Sequence, residues 1–248
     1  MRFPGQVNTG YIGIIASVFS EGTMFSSKFK PFGVTVPGQP AFYTGAVAGS
    51  RVVYGASGVG KTNAAHTATI LLEKFRMSCI VNFGIGGAYP ASGLKVGDIA
   101  VAEKEVYADE GVLLIDGLHS FEITGIPLLK VRGRKYFNEF PADKRLSKLA
   151  LKASGTVAPC RSGVFLTVSA CTGTGKRAGE LAGKFGPICE NMEGAAVAHI
   201  CRSYGVPFVE IRGISNIVED RDMKKWDMKL AAGNSQKAVL QFIGALSG

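Results

Sequence analysis

Apolar runs of strand length alternate with helical patterns along most of this chain, and that alternation limits its fold more than any other feature. Tyr11 to Ala16 reads as a first strand. Ala41 to Ala48 and Arg51 to Tyr54 read as strands separated by Gly49. Asn63 to Phe75 reads as a helix, because Ala64, Ala65, Ala68, Leu71, Leu72 and Phe75 share one stripe. Cys79 to Phe83 is a near-continuous apolar run, as expected of a strand covered on both faces. Strands are also expected at Asp98 to Ala102, Gly163 to Val168 and Pro207 to Arg212, and helices at Asp143 to Lys152, Ala195 to Ser203 and Leu230 to Leu246. The pattern predicts an α/β chain: a single three-layer αβα domain over residues 1–248, around a central, mostly parallel, mixed and twisted sheet. Residues 1–10 read as an N-terminal extension. Gly117 to Pro141 is the least regular stretch, a candidate long loop or interface.

Composition narrows the class. With 46% hydrophobic and 19% charged residues, the chain is globular and not disordered. No apolar stretch approaches the roughly 20 residues that span a bilayer, and Met1 to Gly10 lacks the order of a signal peptide. The five cysteines are odd in number, have no CxxC spacing and read as buried free thiols of a reducing cytosol, so a cytoplasmic protein is expected. His66, His119 and His199 are scattered away from any Cys pair, so no metal is expected. The net charge of +9 partly gathers at Lys130 to Lys135 and at Lys144, Arg145 and Lys148. A nucleic-acid surface is disfavoured, because no groove-reading or aromatic-interleaved motif accompanies these residues. A solvated face is preferred, and attraction of an anionic small substrate is a third option.

Several motifs could carry chemistry. Gly55-Ala56-Ser57-Gly58-Val59-Gly60-Lys61-Thr62 matches the Walker A phosphate loop, and Val112 to Asp116 could serve as its Walker B strand. The apolar run before it is short, and helix packing through the glycines is the bland alternative. Gly84-Ile85-Gly86-Gly87 leaves a strand but lacks the third glycine of a dinucleotide fingerprint, so a nicotinamide cofactor is disfavoured. Its backbone N–H groups, at Ile85 and Gly86, could still approach a ribose or a water. Glu21, just after the first strand, is a candidate general base or a solvated helix-start acid. Asn191-Met192-Glu193-Gly194-Ala195-Ala196 opens one apolar helix, and Arg212-Gly213-Ile214-Ser215-Asn216 ends a strand. Ligands of open α/β sheets bind outside the carboxyl ends of the strands, so Glu193, Arg212 and Asn216 can meet at one pocket.

Taken in order, Ile12 to Ile15 with Glu21, Ser57 to Lys61, Gly84 to Gly87 with Leu94 to Asp98, Met192 to Ala196 and Arg212 to Ser215 resemble the nucleoside phosphorylase and nucleosidase superfamily. The closest pattern is its methylthioadenosine/adenosylhomocysteine nucleosidase branch. Within that branch, Gly86 to Pro90, Tyr107 to Val112 and Arg212 to Val218 with Arg221, Asp222 and Trp226 are most similar to the futalosine hydrolases.

The resemblance implies a nucleoside phosphorylase-like fold, no cofactor, and hydrolysis of a purine nucleoside, with hypoxanthine released from futalosine. It implies that Glu193, with Met192 against the sugar, holds the ribose hydroxyls. Glu21 would activate water, Arg212 would help fix that water, and Asn216 would bind the purine edge. The strand end carrying Thr167, Ser169 and Thr172 is the expected base shelf. Where adenine-specific relatives carry Asp, this chain has Asn216, whose amide can both donate and accept and so suits a 6-oxopurine. Phosphorylases carry a phosphate-binding loop after the first strand; here Ser17 to Glu21 puts an acid there, which disfavours phosphate. The same resemblance implies a homodimer or larger homo-oligomer, with neither nucleic acid nor membrane as partner. An adenine-specific nucleosidase and a P-loop nucleotide-binding protein remain the alternatives.

Overall fold

The computed structural model describes residues 10–33 and 40–247. The expected N-terminal extension lies outside the described residues, apart from Gly10. In chain order the strands are β1 (Tyr11–Ala16), β2 (Lys30–Phe32), β3 (Phe42–Val47), β4 (Ser50–Ala56), β5 (Met77–Ala88), β6 (Ile99–Tyr107), β7 (Val112–Leu114), β8 (Gly117–His119), β9 (Leu129–Val131), β10 (Arg134–Tyr136), β11 (Glu139–Pro141), β12 (Cys160–Thr167), β13 (Pro187–Asn191) and β14 (Phe208–Ile217). The helices are α1 (Thr23–Ser26), α2 (Lys61–Lys74), α3 (Lys144–Ser154), α4 (Gly175–Phe185), α5 (Gly194–Tyr204) and α6 (Met228–Ser247).

β1 lies between β4 and β5, parallel to both. β5 continues past the end of β1 and pairs with β14 on its other side, in parallel. β14 also meets β6, antiparallel. β6 pairs with β12, β12 with β13, and β13 returns antiparallel to the far end of β5. Five strands thus close into a ring at one end of the sheet; β11 flanks it on β6, and the rest of the sheet fans out through β1, β4, β3 and β2.

Alternating residues of the central strands face two helical layers. Ile12, Ile14 and Ala16 of β1, with Val81 and Phe83 of β5, pack against Leu146 and Ala150 of α3 and Val239 and Phe242 of α6. Ile15 and Ile80 face the other way, against Ala64, Ala68 and Leu71 of α2 and Val197 and Cys201 of α5. A strand buried on both faces needs apolar residues at successive positions, which is why these segments do not alternate in hydropathy.

The three-layer α/β architecture and the expected helices and strands are present, with shifted ends. Four features differ from the sequence reading. The segment from 117 to 141 is not a long loop: it forms β8, which closes a small hairpin with β7, then the β9–β10 hairpin and the edge strand β11. α4 was hidden by Gly175, Gly179 and Gly183, which weaken a helical pattern. β13 escaped notice because it is only five residues long and three of its buried residues are Cys, Glu and Asn. Of the cysteines, Cys79, Cys189 and Cys201 are buried, but Cys171 is exposed and Cys160 only partly covered. Among the described residues no helix is long and apolar enough to cross a membrane.

Candidate active site

β1 stops at Ala16, and its ladder with β5 ends at the pair Ile15–Asn82. Beyond that point one flank of β5 has lost its strand neighbour, and its backbone groups need other partners. The chain leaving β1 supplies one. It turns through a short 3₁₀ segment, Phe19–Gly22, and buries Glu21. Glu21 Oε1 accepts the Ile85 N–H at 2.8 Å. Its Oε2 accepts from the Ser17 hydroxyl at 2.6 Å and the Val18 N–H at 3.1 Å. Glu21 is therefore not a solvated helix-start acid.

On the other flank of β5, Arg212 pairs with Gly84 across the β5–β14 ladder. Arg212 is 1% exposed. Its Nε donates to Glu210 at 2.8 Å, one terminal nitrogen to the Ile85 carbonyl at 3.1 Å, and the other to Glu193 at 3.2 Å. Burial alone would weaken its hold on the proton, but Glu210, Glu193 and Glu21 together raise its pKa.

Glu193 precedes α5 and is also buried. Asn191 caps this helix by accepting the Glu193 and Gly194 N–H groups at 2.9 and 2.7 Å. That leaves the Glu193 carboxyl free to reach inward. One oxygen meets Arg212, and the other accepts the Gly60 N–H at 3.0 Å. Burial raises the Glu193 pKa, and Arg212 opposes that shift.

The Walker A look-alike is thereby accounted for. Gly58 and Gly60 adopt φ of 89° and 94°, which glycine tolerates best, and the turn offers its Gly60 N–H to Glu193. Lys61 turns away, to Asp109 and Glu110. Val112 to Leu114 lies in a small hairpin off the main sheet, where Asp116 binds His119 at 2.8 Å. The P-loop alternative therefore lacks both a free lysine and a Walker B strand beside the loop.

Glu21, Glu193, Arg212, Asn216, Met192, Thr172, Ile85 and Gly86 all line one cavity of about 220 Å³. Thr167 and Ser169, expected on the base shelf, do not. The Thr167 hydroxyl is buried, lies 2.6 Å from Glu105 and accepts the Ala195 N–H at 2.7 Å, so it joins β12 to β6 and α5. Ser169 gives its N–H to Asp109 at the exposed edge. The strand ends at Thr167, and of the following loop it is Cys171 and Thr172 that reach the cavity. Asn216 accepts from Ser215 at 2.8 Å and donates one amide hydrogen to the Ile217 carbonyl at 3.1 Å, which leaves the other hydrogen and part of its acceptor capacity for a ligand.

Sequence reasoning missed three buried acids. Glu190 lines the cavity beside Met192. Glu105 and Glu210 sit behind it, both against Gly194: a Cβ there would stand 2.1 Å from Glu105 Oε1 and 2.3 Å from Glu210 Oε2. Burial, then Glu210, raises the Glu105 pKa well above 4.5. The available signal was an acid inside an apolar strand two residues before Arg212, which implies a buried partner. Among the described residues no group of three or more His, Cys, Asp or Glu could hold a metal.

Residues 12–244 match the phosphorylase superfamily. The chain belongs to this superfamily. Its relatives there place it on the methylthioadenosine/adenosylhomocysteine nucleosidase branch. One, the 5′-methylthioadenosine/S-adenosylhomocysteine nucleosidase of Halalkalibacterium halodurans, is 30% identical over 95% of this chain and 98% of its own. The futalosine hydrolase of Thermus thermophilus is 34% identical over 81% of this chain and 84% of its own. Among solved structures of this superfamily, the Colwellia psychrerythraea nucleosidase in complex with adenine superimposes with a TM-score of 0.80, at 27% identity and 96% coverage of both chains.

Proposed function

We propose that this nucleosidase hydrolyses the N-glycosidic bond of futalosine and releases hypoxanthine, a step of the alternative route to menaquinone. The observation that carries this reading is the cavity's pairing of a buried acid, Glu21, with an amide, Asn216, where an adenine-specific site would have a second acid. Met192 and Glu193 would hold the ribose. Glu21 would take a proton from water as that water adds to the anomeric carbon. The bond to the purine would break with its electron pair leaving on the base, and Asn216 would bind that base. The transition state would carry positive charge on the sugar, as in glycoside hydrolysis generally; Glu21 and Glu193 face that charge, and Arg212 keeps Glu193 in place. No cofactor enters this scheme.

A second reading, cleavage of methylthioadenosine or adenosylhomocysteine, is favoured by the near-complete overlap with the Halalkalibacterium enzyme. Chromatography of the products from futalosine, aminofutalosine, inosine and methylthioadenosine separates the two. Hypoxanthine from futalosine supports the proposal; adenine release alone overturns it. A homodimer or larger assembly belongs to the same proposal, with exposed Leu113, Ile115 and Ile126 on the surface it would cover, and light scattering tests it.

A further inference from the structure

Glu190 and Asn216 occupy matching positions on opposite sides of one glycine. In the β13–β5 ladder Glu190 pairs with Gly87, and in the β5–β14 ladder Asn216 pairs with the same Gly87. Residues in register on neighbouring strands project to the same face of a sheet. The two side chains therefore stand on one face, two strand spacings or about 10 Å apart, with no side chain from the intervening strand at that level. The floor is as bare as the fold allows. A Cβ on Gly87 would come within 3.2 Å of Asn216 Nδ2 and 2.8 Å of Val218 Cγ2, and Glu190, Gly87 and Asn216 all line the cavity.

We infer that this slot is the base site, and that Glu190 selects purines carrying a proton on N1. The inference rests on the nucleosidase reading above and assigns the choice of base to a residue that reading left idle. Glu190 is 7% exposed and held as an acceptor. The Thr172 N–H donates to Oε1 at 2.9 Å; the Tyr89 and Thr172 hydroxyls donate to Oε2 at 2.8 and 2.6 Å. A carboxylate has about four acceptor positions, so one remains, on Oε1. Hypoxanthine presents an N1–H donor beside its O6 acceptor. Adenine presents a lone pair at N1, which would face a carboxylate oxygen with no hydrogen between them, and an unmade bond at a buried acceptor is costly. Across the slot, the second Asn216 amide hydrogen suits O6. The two walls thus read complementary features of a 6-oxopurine, and Glu190 alone distinguishes it through N1.

The test uses the unmodified enzyme first, so folding does not enter. Dissociation constants are measured for hypoxanthine, 1-methylhypoxanthine and adenine, and kcat/KM for futalosine and methylthioadenosine. Glu190→Gln is then compared. Hypoxanthine should bind at least tenfold tighter than either other base. The variant should lose about 10- to 100-fold in kcat/KM for futalosine and narrow its preference for hypoxanthine over adenine, because a Gln amide can donate to adenine N1. Equal binding of hypoxanthine and 1-methylhypoxanthine overturns the inference, as does a variant that keeps both rate and preference. If futalosine is cleaved while the N1 proton proves irrelevant, only the role of Glu190 fails. If the unmodified enzyme releases no hypoxanthine at all, the parent reading fails with it.

Discussion

Glu21 and Arg212 face each other across a residue that has no side chain. A Cβ on Gly84 would stand 2.7 Å from Glu21 Oε1 and 2.9 Å from Arg212 Nη1. Both groups are buried and bonded in place, so neither can move aside cheaply. Gly84→Ala should therefore lower kcat/KM at least 100-fold. Gly183→Ala is the control: nothing lies within 4 Å of its would-be Cβ on α4, and it should keep activity and gain up to about 1 kcal/mol in stability. Steady-state kinetics and urea melts check both, and an active Gly84→Ala enzyme would show that the Glu21–Arg212 spacing is not critical.

Glu21→Gln keeps the shape of the side chain and removes the base. Positioned proton transfer is worth about 10²- to 10⁴-fold, so turnover should fall by that factor while hypoxanthine binding changes little. Calorimetry with the free base, beside the rate, separates the two effects. Unchanged turnover would remove Glu21 from the mechanism.

Asn216→Asp should move preference toward adenine nucleosides. A carboxyl at this position can exchange a proton with the base, which an amide cannot do. The ratio of adenine to hypoxanthine release from matched nucleosides is the readout. An unchanged ratio would mean that the base is chosen elsewhere in the slot.

The three layers were legible because doubly buried strands leave a near-continuous apolar record, as at Tyr11 to Ala16 and Cys79 to Phe83. The ring of strands was not legible. It depends on β14 pairing with both β5 and β6, and pairing partners leave no trace in one strand's own composition. The same divide runs through the site. Glu193 and Asn216 stand near element ends, where an open sheet collects ligands, so the residue pattern brought them and Arg212 to one pocket; Glu21 joined them only through the family resemblance. Thr167 was misplaced because the last residue of a strand can point inward or outward, and its hydroxyl is taken by Glu105 and Ala195. Glu105 and Glu190 were hidden because an acid within a strand reads as an exposed position until its partners on other strands are known; only Glu210, inside an apolar run beside Arg212, left a signal.

Glu105 gives a pH signature. Burial, with Glu210 beside it, raises its pKa well above 4.5. The folded protein then keeps a proton that the unfolded chain releases, so from about pH 4.5 upward the native state binds more protons and its stability falls as pH rises. Glu105→Gln imitates the protonated form and escapes that loss. Its melting temperature should exceed that of the unmodified protein at pH 8, and the difference should close near pH 4.5. Glu105→Ala should instead cost about 1–3 kcal/mol near pH 4.5, because it strands the Thr167 and Asn191 donors, and that cost should shrink as pH rises, since this variant too escapes the loss. Parallel pH profiles for the unmodified protein and Glu105→Gln would show Glu105 to be ionised in the fold.

Lys61 separates a true phosphate loop from this one. Its amine is engaged by Asp109 and Glu110, and the Gly60 N–H that would cradle a phosphate is held by Glu193. The unmodified protein should therefore show no magnesium-dependent ATP binding in calorimetry. Lys61→Ala should lower stability by no more than about 1 kcal/mol, since the pairs are partly solvated and screened. Burial raises the Asp109 pKa, but the Lys61 bond and the Ser169 N–H outweigh it and bring it below 3.8. That contribution is present above pH 3.8 and is lost as pH falls through the lowered value, so the gap between variant and parent should be full at neutral pH and vanish in acid. ATP binding that disappears in Lys61→Ala would restore the phosphate-loop interpretation.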